Sequence, residues 1–192
     1  RRSSDLAIDN MVGTGDHKFS GTFDGGCNII EFNYTGATEQ YTAPFRYIHS
    51  ATIKNVRLRG TVSTTSKFAG AVVAHTAGTS YVTNCVNSTA ISANNSSNFD
   101  GSHGDVVGQV GGSQTVYIRG CVFNGTMTGS KVTNWGGILG YGSSSTKAYI
   151  TDCLFAPSSQ PNVGSSGTQT IHRCQGTASV VNCYYTRSIG TA

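Results

Sequence analysis

A six-residue segment recurs five times in this 192-residue chain, and a repeat of that kind limits the available folds more than any single residue does. The copies are Ile53–Leu58 (IKNVRL), Val82–Asn87 (VTNCVN), Ile118–Phe123 (IRGCVF), Ile150–Phe155 (ITDCLF) and Val180–Tyr185 (VVNCYY), with spacings of 29, 36, 32 and 30 residues. Each opens on a β-branched residue. The third column reads Asn55, Asn84, Gly120, Asp152, Asn182. These residue types tolerate a left-handed backbone, Gly for want of a Cβ and Asn or Asp through local side-chain hydrogen bonds. One such residue bends the chain without ending the strand pairing on either side. It also breaks the alternation of a strand, so that Ile150 and Cys153 both face inward.

A second ladder lies upstream. Gly70–Ala74 (GAVVA), Gly104–Gly108 (GDVVG) and Gly136–Gly140 (GGILG) align, each followed by a polar turn such as Gly111–Gln114 or Gly142–Thr146. Each unit therefore reads as strand, turn, strand, one-residue bend and strand, with no helix between. Units of this length fit the coils of a right-handed parallel β-helix, an all-β solenoid in which the whole coil serves as the crossover between parallel strands. A single coil cannot bury its apolar face, whereas stacked coils can. The chain reads as one such solenoid domain, 1–192, of roughly five to seven coils. Residues 1–43 supply a short N-terminal cap and the first coil, and 44–192 supply five repeat coils. Ser4 followed by DLAIDNM reads as a capping helix, and the ends of the sequence read as cuts in a longer polypeptide.

Composition agrees with short strands and tight turns. Charged residues make up only 11% of the chain, Gly numbers 25, and Ser, Thr and Asn supply the polarity. These are poor helix formers. No apolar run is long enough to cross a bilayer, so membrane insertion is not expected. The formal charge of +4 is spread thinly, which argues against a nucleic-acid footprint.

Several motifs carry a family likeness. Phe19–Gly26 (FSGTFDGG), Ala51–Val56 (ATIKNV), Trp135–Gly140 (WGGILG) with Ile150–Cys153, and Asn182–Thr186 (NCYYT) resemble the GLUG-type repeats of large bacterial surface and secreted proteins. The likeness runs over roughly residues 16–192. It implies an extracellular β-solenoid segment, adhesive or spacer in role, next to other domains of the same polypeptide. It brings no catalytic residues. Cys27 departs from the pattern where the family has Gly or a small polar residue, and Cys174 falls in a segment the family varies.

The candidate functional groups are few. Cys85, Cys121, Cys153 and Cys183 share one inward slot, where a small thiol fills core space, and they read as a buried reduced ladder rather than as staples. No close Cys/His spacing suggests zinc, and no cofactor is implied. Asp100, His103 and Asp105 share a polar insertion and form the best group for a weak metal or sugar site, beside the plainer reading of a solvated loop. A polysaccharide lyase or hydrolase on this scaffold would gather carboxylates with a basic residue on one outer strand, and no such ladder is visible. The residues after each Cys give an outward column of Val86, Val122, Leu154 and Tyr184, headed by Arg57. That column either docks a neighbouring domain or partner or lies under a loop. Trp135, Tyr141, Tyr149 and Tyr184, read as exposed, are candidates for stacking on sugar rings, with core packing as the plainer alternative. The expected ligand is a glycan or a host surface protein. The expected function is a non-catalytic extracellular module, with a polysaccharide-acting enzyme as the alternative.

Overall fold

The structure is a computed structural model and describes residues 6–8, 10–36, 40–65, 67–93, 102–130, 134–164 and 167–190. The described residues form a parallel β-solenoid without helix, its strands grouped into four parallel sheets. In the order each coil meets them, sheet I comprises Tyr41–Thr42, Phe68–Gly70, Ser102–Gly104, Asn134–Gly136 and Gly167–Gln169. Sheet II comprises Phe45–His49, Val73–Ala77, Val107–Val110, Leu139–Gly142 and His172–Cys174. Sheet III comprises Thr22–Asp24, Thr52–Lys54, Thr79–Thr83, Thr115–Arg119, Lys147–Thr151 and Thr177–Val181. Sheet IV collects the segments after the bend, from Ile29–Gly36 and Arg57–Thr64 to Leu154–Phe155 and Tyr184–Tyr185. No helix among the described residues is long and apolar enough to cross a membrane.

The bend column is a backbone feature. Asn55, Asn84, Gly120, Asp152 and Asn182 have φ of 54°, 53°, 63°, 56° and 51°. The bend amide donates to the next coil, as from Asn84 N to Arg119 O (2.8 Å) and from Gly120 N to Thr151 O (3.0 Å). Register holds across the bend, with Ile53, Val82, Ile118, Ile150 and Val180 in one column and Val86, Val122, Leu154 and Tyr184 in another. The first coil makes the same corner with a longer turn. Asp24 pairs with Lys54 and Ile29 with Arg57, so residues 25–28 face only 55–56. Gly26 and Cys27 absorb the difference at φ of 57° and 60°. Cys27 thus stands in a left-handed position and is exposed, which is where a Gly or small polar residue is at home.

Two sequence expectations change. The segment read as a capping helix contains a strand, Leu6–Ile8, paired in parallel with Ile30–Phe32 at the open edge of sheet IV. An unpaired strand edge offers a row of backbone partners, and those partners outweigh a weak local helix preference. The upstream ladder is also not one strand per coil. Gly70–Ala74, Gly104–Gly108 and Gly136–Gly140 each contain a corner, so a coil has four faces rather than three. The first Gly of each makes that corner possible. A Cβ at Gly104 or Gly136 would overlap the carbonyl oxygen of Val107 or Leu139.

The core is a stack of columns. Ile53, Val82, Ile118 and Ile150 are fully buried, as are Val72, Val106 and Ile138 on the far side. Phe123 and Phe155 stack at 5.7 Å across the middle coils. The last coil has no further coil over it in the described residues. Val180 and Tyr185, which continue the inward columns, are 41% and 46% exposed there.

Candidate functional site

The most ordered exposed feature lies on the outer face of sheet III. Strand alternation sends Ser80 and Val82, Val116 and Ile118, and Ala148 and Ile150 inward. The residues between them therefore face solvent in register. Thr52, Tyr81, Tyr117, Tyr149 and Ser179 form one column along the solenoid. The three tyrosine rings are stacked, Tyr81 on Tyr117 at 5.0 Å and 10°, and Tyr117 on Tyr149 at 4.8 Å and 12°. Tyr81 and Tyr117 remain 41% and 36% exposed. Thr79, Thr115, Lys147 and Thr177 flank the ladder on one side, and Lys54, Thr83, Arg119, Thr151 and Val181 on the other. Only Tyr149 of this ladder was singled out by the sequence. Tyr81 and Tyr117 hold the equivalent place, the residue before each opening β-branched residue, and that column was the signal available.

Next to this face runs the III/IV corner, whose polar side chains bridge coils. Asn55 Nδ2 donates to Asp24 Oδ1 (2.9 Å), and Asn182 Nδ2 to Asp152 Oδ1 (3.3 Å). Lys54 pairs with Asp24 and Arg119 with Asp152, each at 3.3 Å. The bonds from Asn55, Gly26 and Lys54 hold the Asp24 carboxyl below the usual carboxylate range. Beyond the corner, Val86, Val122 and Leu154 are half-buried and Tyr184 is 68% exposed. A shallow groove of about 320 Å³ lies at the lower end of that column, lined by Ile29, Arg57, Arg59, Val86, Ser88 and Asn124 among others.

The Asp100, His103, Asp105 group is not a loop site. Asp100 lies outside the described residues, and His103 and Asp105 are sealed in the core at 1% and 0% exposure. Sheet I pairs His103 with Ala69 and Trp135, an inward column, so Trp135 is fully buried rather than presented to a ligand. Their rings lie 5.1 Å apart. Asp105 occupies the slot that Ala71 and Gly137 fill in the neighbouring coils, as the Gly104 pairings require. Both Asp105 carboxyl oxygens, both His103 ring nitrogens and the Trp135 indole nitrogen lack hydrogen-bond partners. Burial pushes Asp105 well above the usual carboxyl range and lowers His103 to about 3, so the His103 imidazole is neutral near pH 7. Tyr141 is half-buried, and its hydroxyl meets Gln175 Oε1 at 3.1 Å. Among the described residues no group of three or more His, Cys, Asp and Glu is placed to hold a metal.

All six cysteines are free. Cys85, Cys121 and Cys153 are buried, and Cys183 is half-buried because it sits in the uncovered last coil. Each of these thiols donates to the carbonyl two residues earlier, as Cys85 to Thr83 O (3.3 Å) and Cys153 to Thr151 O (3.2 Å). Cys121, enclosed between two other thiols, is pushed well up from the ordinary thiol value.

A second cluster, not anticipated from the sequence, gathers at sheets I and II of the early coils. Tyr41 stacks on Phe68 at 4.5 Å and meets Tyr47 and His75 at 4.9 and 5.1 Å. Its hydroxyl lies 2.8 Å from Gln109 Oε1. Burial pushes Tyr41 up to about 12 and lowers His75 to about 4. The comparisons add no name to either site: no protein-family model, no curated protein and no solved structure matches this chain at a significant level.

Proposed function

We propose that this chain is a non-catalytic module of a bacterial surface protein, working outside the cell as an adhesive or spacer segment that holds its ligand on the outer face of sheet III. The observation that carries this reading is the stacked ladder of Tyr81, Tyr117 and Tyr149. Tyr81 and Tyr117 are exposed and Tyr149 is half-buried, and the ladder repeats with the coils and is flanked by hydroxyl and basic side chains. Each stacked cross-strand pair contributes roughly 0.2–1 kcal/mol, so the ladder is a rigid surface rather than a main source of stability. A solenoid extends such a surface one coil at a time. The likeness to GLUG-type repeats and the Val86, Val122, Leu154, Tyr184 column, suited to an adjoining domain, support the same reading. The test is an array of glycans and surface proteins probed with wild type and with Tyr117→Ser, a residue the same column already accepts at Ser179. Binding that falls with the substitution is expected; binding indifferent to it would remove this face from the function.

A polysaccharide-acting enzyme is the second reading, and the Tyr41–His75 cluster is what favours it. Half-buried titratable groups with displaced acidity gather at active sites as well as in packing clusters. Turnover of an acidic polysaccharide, abolished by both Tyr41→Phe and His75→Ala, would establish that reading.

A further inference from the structure

We propose that the sheet III face takes an extended, acidic, β-linked polysaccharide lying along the solenoid axis, one sugar per coil. The inference rests on the binding-module reading and names its ligand. Its first support is the period. The tyrosine rings recur at 5.0 and 4.8 Å, the spacing of neighbouring strands. Each sugar of an extended β-linked chain advances by a distance close to that strand spacing, so successive sugars keep step with successive coils while turning alternate edges to the two sides of the ladder. An extended peptide advances only about 3.2–3.4 Å per residue and falls out of phase with the ladder.

The second support is the chemistry of the exposed atoms. Rings stacked at 10° and 12° cover one another's faces and turn their edges outward. Ring edges carry the positive part of the aromatic quadrupole, and phenolic hydroxyls donate. The row therefore offers hydrogen-bond donors and weakly positive edges to acceptor oxygens. The ring faces at the two ends of the ladder lie over Thr52 and Ser179, small residues that leave space for a sugar ring to continue the stack.

Charge supplies the third support. The strands of this face carry Lys54, Arg119 and Lys147 in outward columns, against Asp24 alone. Asp24 is paired with Lys54. Arg119 meets Asp152 through Nε in an exposed contact, its side chain 71% accessible, and pairs of that kind contribute little and exchange readily. Lys147 and Arg119 stand on opposite sides of the tyrosines, where carboxylates projecting from both edges of a uronate chain would meet them. Threonine hydroxyls at 79, 115, 83 and 151 complete the rims.

Affinity electrophoresis of the whole chain through gels containing β-1,4-mannuronan, β-1,4-mannan or polyglutamate separates these contributions. The two glycans differ in their carboxylates, and polyglutamate supplies charge without the sugar period. Retardation by mannuronan is expected, stronger than by mannan or polyglutamate. Tyr117→Ser should weaken it about tenfold, with a urea transition that stays cooperative and shifts only slightly to lower urea as the folding control. Tyr117→Phe, which keeps the ring and folds in any event, should weaken it less but measurably. Lys147→Gln combined with Arg119→Gln should weaken mannuronan binding and flatten its salt dependence while leaving mannan binding alone. Equal binding of polyglutamate, mannan as good as mannuronan, or indifference to both Tyr117 variants would overturn the inference. Tyr117-dependent capture of another ligand with no mannuronan binding would overturn it and leave the binding-module reading standing. Loss of every Tyr117-dependent ligand would overturn both.

Discussion

The corner between sheets III and IV, from the second coil onward, and the corner between sheets I and II both turn the chain within one or two residues, yet they treat an aspartate in opposite ways. At the III/IV corner Asp152 takes φ of 56° and its side chain stays at the surface. There it accepts from Asn182 of one neighbouring coil and Arg119 of the other, each at 3.3 Å. At the I/II corner the chain bends over Asp105 and Val106, directly after Gly104, whose missing Cβ makes room for the Val107 carbonyl, and Asp105 keeps an ordinary negative φ. Its side chain goes inward, into a slot filled by Ala71 below, and neither oxygen finds a partner. Its backbone carbonyl, by contrast, accepts from Asn87 Nδ2 at 2.8 Å. The same residue type is thus a coil-to-coil bridge at one corner and an uncompensated polar group at the other. The sign of φ decides which.

Breaking the second corner outright should have the largest effect. Gly136→Ala drives a Cβ into the Leu139 carbonyl, and a loss of about 3 kcal/mol in urea unfolding is expected. Asp105→Ala should do the reverse. It supplies the residue that Ala71 already supplies one coil earlier, and a gain of about 2 kcal/mol is expected from removing an unsatisfied buried group. The first corner should be milder, since Asn84→Ala forfeits the tolerance of left-handed backbone for about 1 kcal/mol, while Asn84→Gly should be nearly neutral.

The pH profile sharpens the same contrast. Asp105 has its folded acidity displaced upward, so its contribution is present below the ordinary carboxyl range, near 3.8, and is lost as pH rises toward the folded value. His103 is displaced downward to about 3, so its contribution is present above about 6.5 and is lost as pH falls through that window. Between about 4 and 6.5 the two oppose each other. Asp105→Ala should therefore leave a protein whose stability rises with pH across that interval, and His103→Ala one whose stability falls, by calorimetry or urea titration. Asp24 and Glu31, both held below the usual range by hydrogen bonds, add an acid-side loss to every variant. The smallest effect is chemical. A thiol reagent should label Cys27 first in the native state and spare Cys85, Cys121 and Cys153, and all six should react after denaturation.

What the sequence made legible follows from the same physics. The III/IV corner was readable because left-handed backbone restricts residue type, and Asn55, Asn84, Gly120, Asp152 and Asn182 display that restriction directly. The thiol slot followed from it, since the bend sets which residues face inward. The I/II corner was hidden because GAVVA, GDVVG and GGILG look like buried strand throughout. The turn depends on how close a backbone carbonyl comes to Gly, which residue type alone does not announce. With the corner unseen, the polar residue of GDVVG read as loop, and Trp135 one coil later read as exposed. The tyrosine ladder lay between these cases. Its column was in register with the repeat, but Thr52 and Ser179 at its ends obscured three successive aromatics.

The most direct test of the two-corner account is the urea midpoint of Asp105→Ala measured beside that of Asp152→Ala. Opposite signs are expected, Asp105→Ala more stable than wild type and Asp152→Ala less stable. Destabilisation by both substitutions would mean that Asp105 is satisfied in the folded chain, and would contradict the account.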